Sequence, residues 1–598
     1  MSISAEWYQF KDLKFHPLNK AVWVPLRAIE DDGSGKRFGD LGYKKNTFAC
    51  GTLAVPLANR ELGDKLGWSE VGVGHEVGHY ADARGYKPVG EYWLDWEKRG
   101  PSAADLVLPQ HFGWDDSEWH LNQDILFALR LKREGDVWVR PNEGFVDVVR
   151  LHRDANGQPT RLEIRAEHLK DYLAARQMAL RVAWYRDRDS IINDAEHIPW
   201  LDSELTEEKP NFRFVARAYA VHEGSGSPLG SQSAVFHSWR TDVDPSEDVP
   251  EYGDETEDNT DYTSRTFSDQ GAKAFRVEGE IWAEEWVEPA AHSIRVREDE
   301  LPSKSYFITE ASGTSQSADE LNNEDIGKYL WFRPGVIPDL LDRRGGSLKW
   351  YSRDTGSIEL THGYYVYFGI NPLGFVNAYA YDVAKLPEWQ RRIWQGYNIP
   401  PDGGVSLELL DAQMRTRPAA TMAPEKYVSQ ALNDLDDVFE RRFGKRLFRH
   451  HSSTSEIALR LHRFRALDEN GLFALAKDVV RVVIEALDVK VLHEIAPPTG
   501  EQGKGSLKSL ERVLATMMSA SDARTALTQL AGIYELRGAD AHLPSAELDE
   551  AYSMAGVPKT TPPIYRGLNL LSGLMRTLAQ LVTAFRADDV SVRTNGSE

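Results

Sequence analysis

The chain has 598 residues, too many for one hydrophobic core, and its length points to roughly two to four domains. With 41% hydrophobic and 27% charged residues it has the composition of a globular protein, which excludes a disordered chain. A formal net charge of -22 excludes a protein that coats nucleic acid through a generally basic surface, while leaving room for a local basic groove.

A single cysteine, Cys50, rules out an internal disulfide. The opening residues lack a basic segment followed by an apolar one, and no run approaches the roughly 20 apolar residues that span a bilayer. The expectation is a cytoplasmic protein with no signal peptide and no membrane partner.

In chain order, β-rich or period-two runs occur at Asp136–Arg140, Gly144–Leu151, Met178–Tyr185 and Asn211–Val221, which predicts strands. Leu169, Tyr172 and Leu173 at helical spacing predict a helix over Ala166–Arg176. Asp154-Ala-Asn-Gly157 is a turn signal that closes a hairpin. Asp242 to Asp261 is acidic and poor in aliphatics, as in a solvated linker. Phe275–Pro289 and Tyr329–Val383 are strand-like and aromatic. Gly363–Ile370 and Phe375–Tyr381 are joined by a turn at Asn371–Gly374. These rings suit a buried sheet core or a pocket that senses a ligand or partner.

After Asn398–Gly404 the strand signals stop. Helical periodicity predicts Pro424–Phe443, Leu472–Leu492, Ser506–Met518, Asp522–Asp540 and Tyr565–Phe585 as a bundle. The fold class is therefore a multidomain α+β protein: a mixed, β-rich, aromatic N-terminal and central region followed by an all-α helical-bundle C-terminal domain. The expected divisions are a mixed α/β N-terminal domain at 1–241, an acidic linker at 242–265, an aromatic β-rich region at 266–400 and the helical domain at 420–590.

The fourth predicted helix runs into Ile533-Tyr-Glu-Leu-Arg537-Gly-Ala-Asp540-Ala-His542. An all-helical domain carrying Arg-x4–6-His on a late helix resembles the HEPN superfamily, many of whose members are metal-independent ribonucleases. The resemblance covers about residues 425–590. The family's nucleases commonly carry Asn, Asp or His directly after the Arg, where this chain has Gly538. The resemblance implies a homodimer through the helical domain, with two motifs meeting at a composite site. It also implies catalysis without a cofactor by Arg537 and His542, and Asp540, about 60° round a helix from Arg537, would orient the Arg or simply pair with it. The residue types suit the chemistry. His serves as acid or base near neutral pH, and a guanidinium holds the charge that develops on phosphate oxygens.

Residues 441–465 add a basic stretch with interleaved Phe443, Phe448 and Phe464. Arg441, Arg442, Lys445, Arg446, Arg449, Arg463 and Arg465 are its candidate RNA-binding residues. Two other motifs compete. His75-Glu76-Val-Gly-His79 matches His-Glu-x-x-His, in which two histidines on one helical face hold zinc and the Glu acts as base. Glu91, Asp95 or Glu97 would then supply a third ligand. Yet Val71–His79 alternates with period two and carries three glycines, which suits a strand better than a helix. Asp147, Glu163 and Arg165 loosely resemble the Asp…Glu-x-Lys layout of restriction-type nucleases.

The functional expectation is a metal-independent endoribonuclease of toxin or abortive-infection (antiphage defence) type, with RNA as substrate and a front that senses an unknown trigger. The alternatives are a zinc-dependent peptidase at His75, Glu76 and His79, and a non-catalytic sensing and dimerisation scaffold.

Overall fold

The structure, a computed structural model, describes residues 3–11, 18–36, 41–74, 78–112, 117–201, 203–220, 231–238, 260–267, 274–449, 457, 460–498, 505–538 and 545–586. It is a mixed α+β protein with extensive antiparallel sheet in its N-terminal and central parts and helices towards its C-terminus. The chain divides into two compact units, residues 1–301 and 302–598.

The first unit is built on a 12-stranded sheet. Its longest strand, Met178–Ile192, pairs antiparallel with Lys44–Pro56 on one side and with Phe275–Val287 on the other. Leu180 and Val182 bury into one core while Ala183 buries into another, so this strand is covered on both faces. The strands expected from period-two runs are present at Val137–Arg140, Val146–Arg153 and Phe212–Ala220. The Asp154 carboxylate accepts the N–H groups of Asn156 and Gln158 at 2.9 and 2.8 Å, which closes the hairpin between Val146–Arg153 and Pro159–Arg165. The helix Ala166–Arg176 buries Leu169, Tyr172 and Leu173 as its spacing requires.

Two placements differ from the sequence expectation. Phe275–Val287, grouped there with the central region, hydrogen-bonds into the N-terminal sheet between Met178–Ile192 and Phe212–Ala220. Thr260–Phe267, partly within the expected linker, is a strand paired with Ser231–Ser238. The acidic residues 242–259 lie outside the described residues.

The second unit carries a six-stranded antiparallel sheet. Its strands run Ser347–Trp350, Thr355–Thr361, Tyr364–Ile370, Val376–Tyr379, Tyr329–Phe332 and Asn398–Ile399 in spatial order. The Asn371 side-chain oxygen accepts from the N–H groups of Leu373 and Phe375, which sets the expected turn. The aromatic residues divide by burial. Phe332, Phe368 and Trp394 are buried, whereas Tyr364, Tyr365 and Tyr367 are exposed.

The helical part of this unit comprises Val428–Phe443, Glu469–Val483, Val489–Ile495, Ser506–Ala515, Ala520–Leu536, Ser545–Met554 and Pro563–Arg586, and further helices such as Glu388–Tyr397 and Leu407–Arg415 flank the sheet. The single helix expected over Leu472–Leu492 is two. Asp488 starts the second by accepting the N–H groups of Lys490 and Val491, and its own N–H donates to the Leu447 carbonyl.

Sheet and helices share a core, because Phe464 and Ile564 pack among the sheet's apolar residues and Phe464 stacks on Trp350 at 5.7 Å. Beside Phe464 lies Arg463, fully buried. Its guanidinium donates to both Glu425 carboxylate oxygens at 2.6 and 2.9 Å, approaches Asp354 at 3.4 Å, and lies 4.5 Å from the Trp350 ring centre. Both carboxylates are themselves buried. A bidentate, shielded pair of this kind fixes geometry strongly, and loss of one partner strands the other's charge. Arg463→Met is therefore expected to cost roughly 3–5 kcal/mol of unfolding free energy, read from the denaturant midpoint.

Burial pushes the neighbouring His462 down to about 4. The folded chain thus favours the neutral ring. Its contribution to stability is complete above the unfolded value of 6.5 and is lost as pH falls towards 4. Between pH 7 and 5 the wild type should lose about 2 kcal/mol that His462→Leu does not lose, measured by denaturant melts at both pH values.

Candidate functional site

The helix Ala520–Leu536 carries the Arg of the Arg-His motif at its end. Ser519 caps its start through a hydrogen bond from the Asp522 N–H at 3.1 Å. Ala523, Leu527, Leu530, Ile533 and Leu536 bury one face at helical spacing. Gly532 lets the end of the helix Ser545–Met554 cross at close range, since a Cβ there would lie 2.6 Å from the Met554 carbonyl carbon.

The helix stops at Leu536, four residues short of the expected Asp540. Arg537 donates its N–H to the Ile533 carbonyl and stands at the C-terminal cap. A cation there meets the negative end of the helix dipole. The guanidinium lies 4.1 Å from the Tyr534 ring centre and donates to the Glu485 carboxylate at 2.7 Å. Asp540 and His542, the other two candidate catalytic residues, lie outside the described residues.

Glu485 lies two residues past the end of the helix Glu469–Val483, and the chain there pairs with the basic stretch. The N–H of Arg449 donates to the Ala486 carbonyl, and Phe448 bridges to Leu487. This pairing brings the exposed Arg449 guanidinium onto the Glu485 backbone carbonyl, while Arg537 takes its carboxylate. Two guanidinium groups 88 positions apart in the sequence thus meet at one residue. The Arg537 and Glu485 side chains are 29% and 50% exposed, and such an ion pair contributes about 1 kcal/mol or less. The Glu485 carboxylate is therefore a weakly held partner of Arg537.

The rest of the basic stretch divides between surface and interior. Arg441 donates to the Asp437 carbonyl and Arg442 to the Phe585 carbonyl. Lys445 pairs with Glu494, Arg446 with Asp436 and Glu440, and Arg465 with Asp478. Arg463 is removed from the RNA-binding set, because its guanidinium is buried between Glu425 and Asp354 and no phosphate reaches it. Phe464 is likewise core, not a surface ring for a base to stack on.

The competing motifs fare differently. His75 and Glu76 lie outside the described residues. His79 is exposed in non-helical backbone just before the strand Tyr80–Asp82, and the preceding helix ends at Val71. Glu91 accepts from the Ser102 hydroxyl and Asp95 pairs with Lys98, so both are engaged elsewhere. No group of three or more metal-ligating side chains occurs among the described residues. Asp147 pairs with Arg150 and Glu163 with His152, while Arg165 donates to the Asp147 carbonyl and lies over Trp23. The two carboxylates of that layout are thus separately occupied.

No protein-family model, curated protein or solved structure matches the chain.

Glu485 is a site residue that no motif in the sequence singles out; its one local signal is helical spacing with the charged Asp478, Arg481 and Asp488. Because Arg449 and Arg537 are anchored to a solvent-facing residue, Arg449→Ala and Arg537→Ala should each change folding stability by less than about 1 kcal/mol in denaturant melts.

Proposed function

We propose that this chain is a metal-independent endoribonuclease of toxin or abortive-infection type, cutting RNA through HEPN-like C-terminal helices under the control of a trigger-sensing front. The observation that carries the reading is the convergence of Arg537, from the Arg-His motif, and Arg449, from the basic stretch, on the exposed Glu485. Two guanidinium groups at one solvent-facing point suit a phosphodiester, and their present acceptors are weakly held.

In this reading the RNA 2′-oxygen attacks the adjacent phosphorus and the 5′-oxygen leaves. Arg537 and Arg449 neutralise the charge that accumulates on the non-bridging oxygens. His542 takes the 2′-hydroxyl proton or gives one to the departing 5′-oxygen. Asp540 orients Arg537, and a homodimer through the helices brings two motifs to one site. Arg441, Arg442, Lys445, Arg446 and Arg465 extend the RNA path, with local carboxylates and carbonyls holding them until RNA binds.

The test is cleavage of total cellular RNA in EDTA by the full chain and by residues 302–598. A fragment beginning near 420 would expose Phe464 and Ile564, which pack in the sheet core. Wild type is expected to cut, and Arg537→Ala and His542→Ala to lose at least about a hundredfold in rate. Failure of both folded proteins to cut any RNA would contradict the reading.

A further inference from the structure

A cavity of about 330 Å3 opens in the second unit, on the sheet face that carries Tyr367. Its volume falls at the lower end of the range for small-molecule sites, roughly 300–1,000 Å3. One wall is the helix Leu407–Arg415, through Leu409, Ala412 and Gln413. The helix sits close against the sheet because Gly369 has no side chain; a Cβ there would lie 2.7 Å from the Leu409 Cβ.

Facing the helix are Tyr351 and Tyr367, 46% and 37% exposed. Their ring centres are 5.8 Å apart with 44° between the planes, which makes an open wedge and not a closed stack. The Tyr351 hydroxyl is already bonded to Ser357 at 3.0 Å, so the faces of the rings are what the cavity offers.

The polar atoms at the cavity are nearly all engaged. Ser352 bonds Thr355 and donates to Glu408, each at 2.5 Å. Glu408 also accepts from the Thr421 hydroxyl at 2.9 Å and the Asp354 N–H at 3.0 Å. Its charge is thus answered from within the protein, and among the described residues no ionised side chain lines the cavity; the Lys349 ammonium lies 5.4 Å from the Tyr351 ring centre but is not part of the lining. Gln413 is the exception. Its carbonyl oxygen accepts from the Tyr329 hydroxyl at 3.0 Å, and its amide NH2 donates to no group among the described residues.

We propose that this cavity binds an uncharged, planar ring compound that carries a hydrogen-bond acceptor. Tyrosine faces and aliphatic walls favour a flat apolar body, the lack of an ionic partner disfavours a charged one, and the Gln413 amide supplies one directional bond. The site goes beyond the nuclease reading and stands without it, because binding is measured with no RNA present.

Coumarin, a neutral two-ring compound with a carbonyl acceptor, is the probe, titrated into the full chain by calorimetry and by saturation-transfer NMR. One molecule per chain is expected, with a Kd on the order of 1 mM or below. Coumarin-3-carboxylate should bind at least about tenfold more weakly, and Ala412→Phe, which fills the cavity, should weaken coumarin by a similar factor. Gln413→Met keeps the bulk without the donor and should weaken it severalfold, providing the comparison if Ala412→Phe lowers the melting temperature. No coumarin binding, equal binding of the carboxylate, or unchanged binding in the folded variants would each overturn the proposal. So would a concentration-dependent dimer lost in Ala412→Phe, which would assign the cavity to a second copy of the chain.

Discussion

A guanidinium shut away from water has to be answered by carboxylates held at the right distance, and in the second unit Arg463 is answered by two. Glu425 comes from the turn that leads into the first bundle helix, and Asp354 from the bend between two strands of the sheet. The three groups meet only if the sheet, the entry to the helices and the segment before Glu469–Val483 are all in place. Phe464, stacked on Trp350, adds an apolar seal at the same point. The ion pair specifies the geometry, while the buried aromatic area around it supplies most of the stabilisation.

That constraint explains why seven basic residues in one stretch do not behave alike. The segment turns inward at Arg463 and Phe464, and the arginines before it, up to Arg449, stay at the surface. Arg463 serves the architecture, Arg446 and Arg465 pair with the buried Asp436 and Asp478, and Arg449 is held at an exposed residue. Arg449 and Arg537 are the pair that the fold brings together, through the backbone pairing of residues 447–449 with 486–488. Their common acceptor is exposed enough for solvent to screen it, which is the condition under which an anion exchanges easily.

The elements legible in the sequence were those decided by neighbours in the chain. Period-two runs located the strands at 137–140, 146–153 and 212–220, and Asp154 announced its own turn. The helix Ala166–Arg176 was equally plain, because Leu169, Tyr172 and Leu173 share a face. What escaped was set by distant partners. Phe275–Val287 joins the first sheet because Met178–Ile192 offers a long pairing edge, which no local pattern reveals. The break after Val483 depends on Asp488 reaching Leu447, and the early stop at Leu536 left Arg537 at a helix end instead of on its flank. Arg463 looked like its neighbours because a charge run in sequence does not say which member meets a buried carboxylate. The motif Arg was legible by type, but its companion Arg449 and shared acceptor Glu485 were not.

In the proposed function Arg537 and Arg449 act as a pair on phosphate, whereas Arg463 belongs to the fold. The most direct test of this pairing is the salt dependence of binding to a single-stranded RNA, compared among wild type, Arg449→Ala, Arg537→Ala and the double variant in the His542→Ala background to prevent cleavage. Each phosphate contact on a single strand contributes about 0.7 to the slope of log K against log salt. A pair sharing one phosphate predicts that each single substitution reduces the slope by up to about 0.7 and that the double variant loses no more than that, with the fold intact. Slopes identical to wild type in all three variants would contradict it.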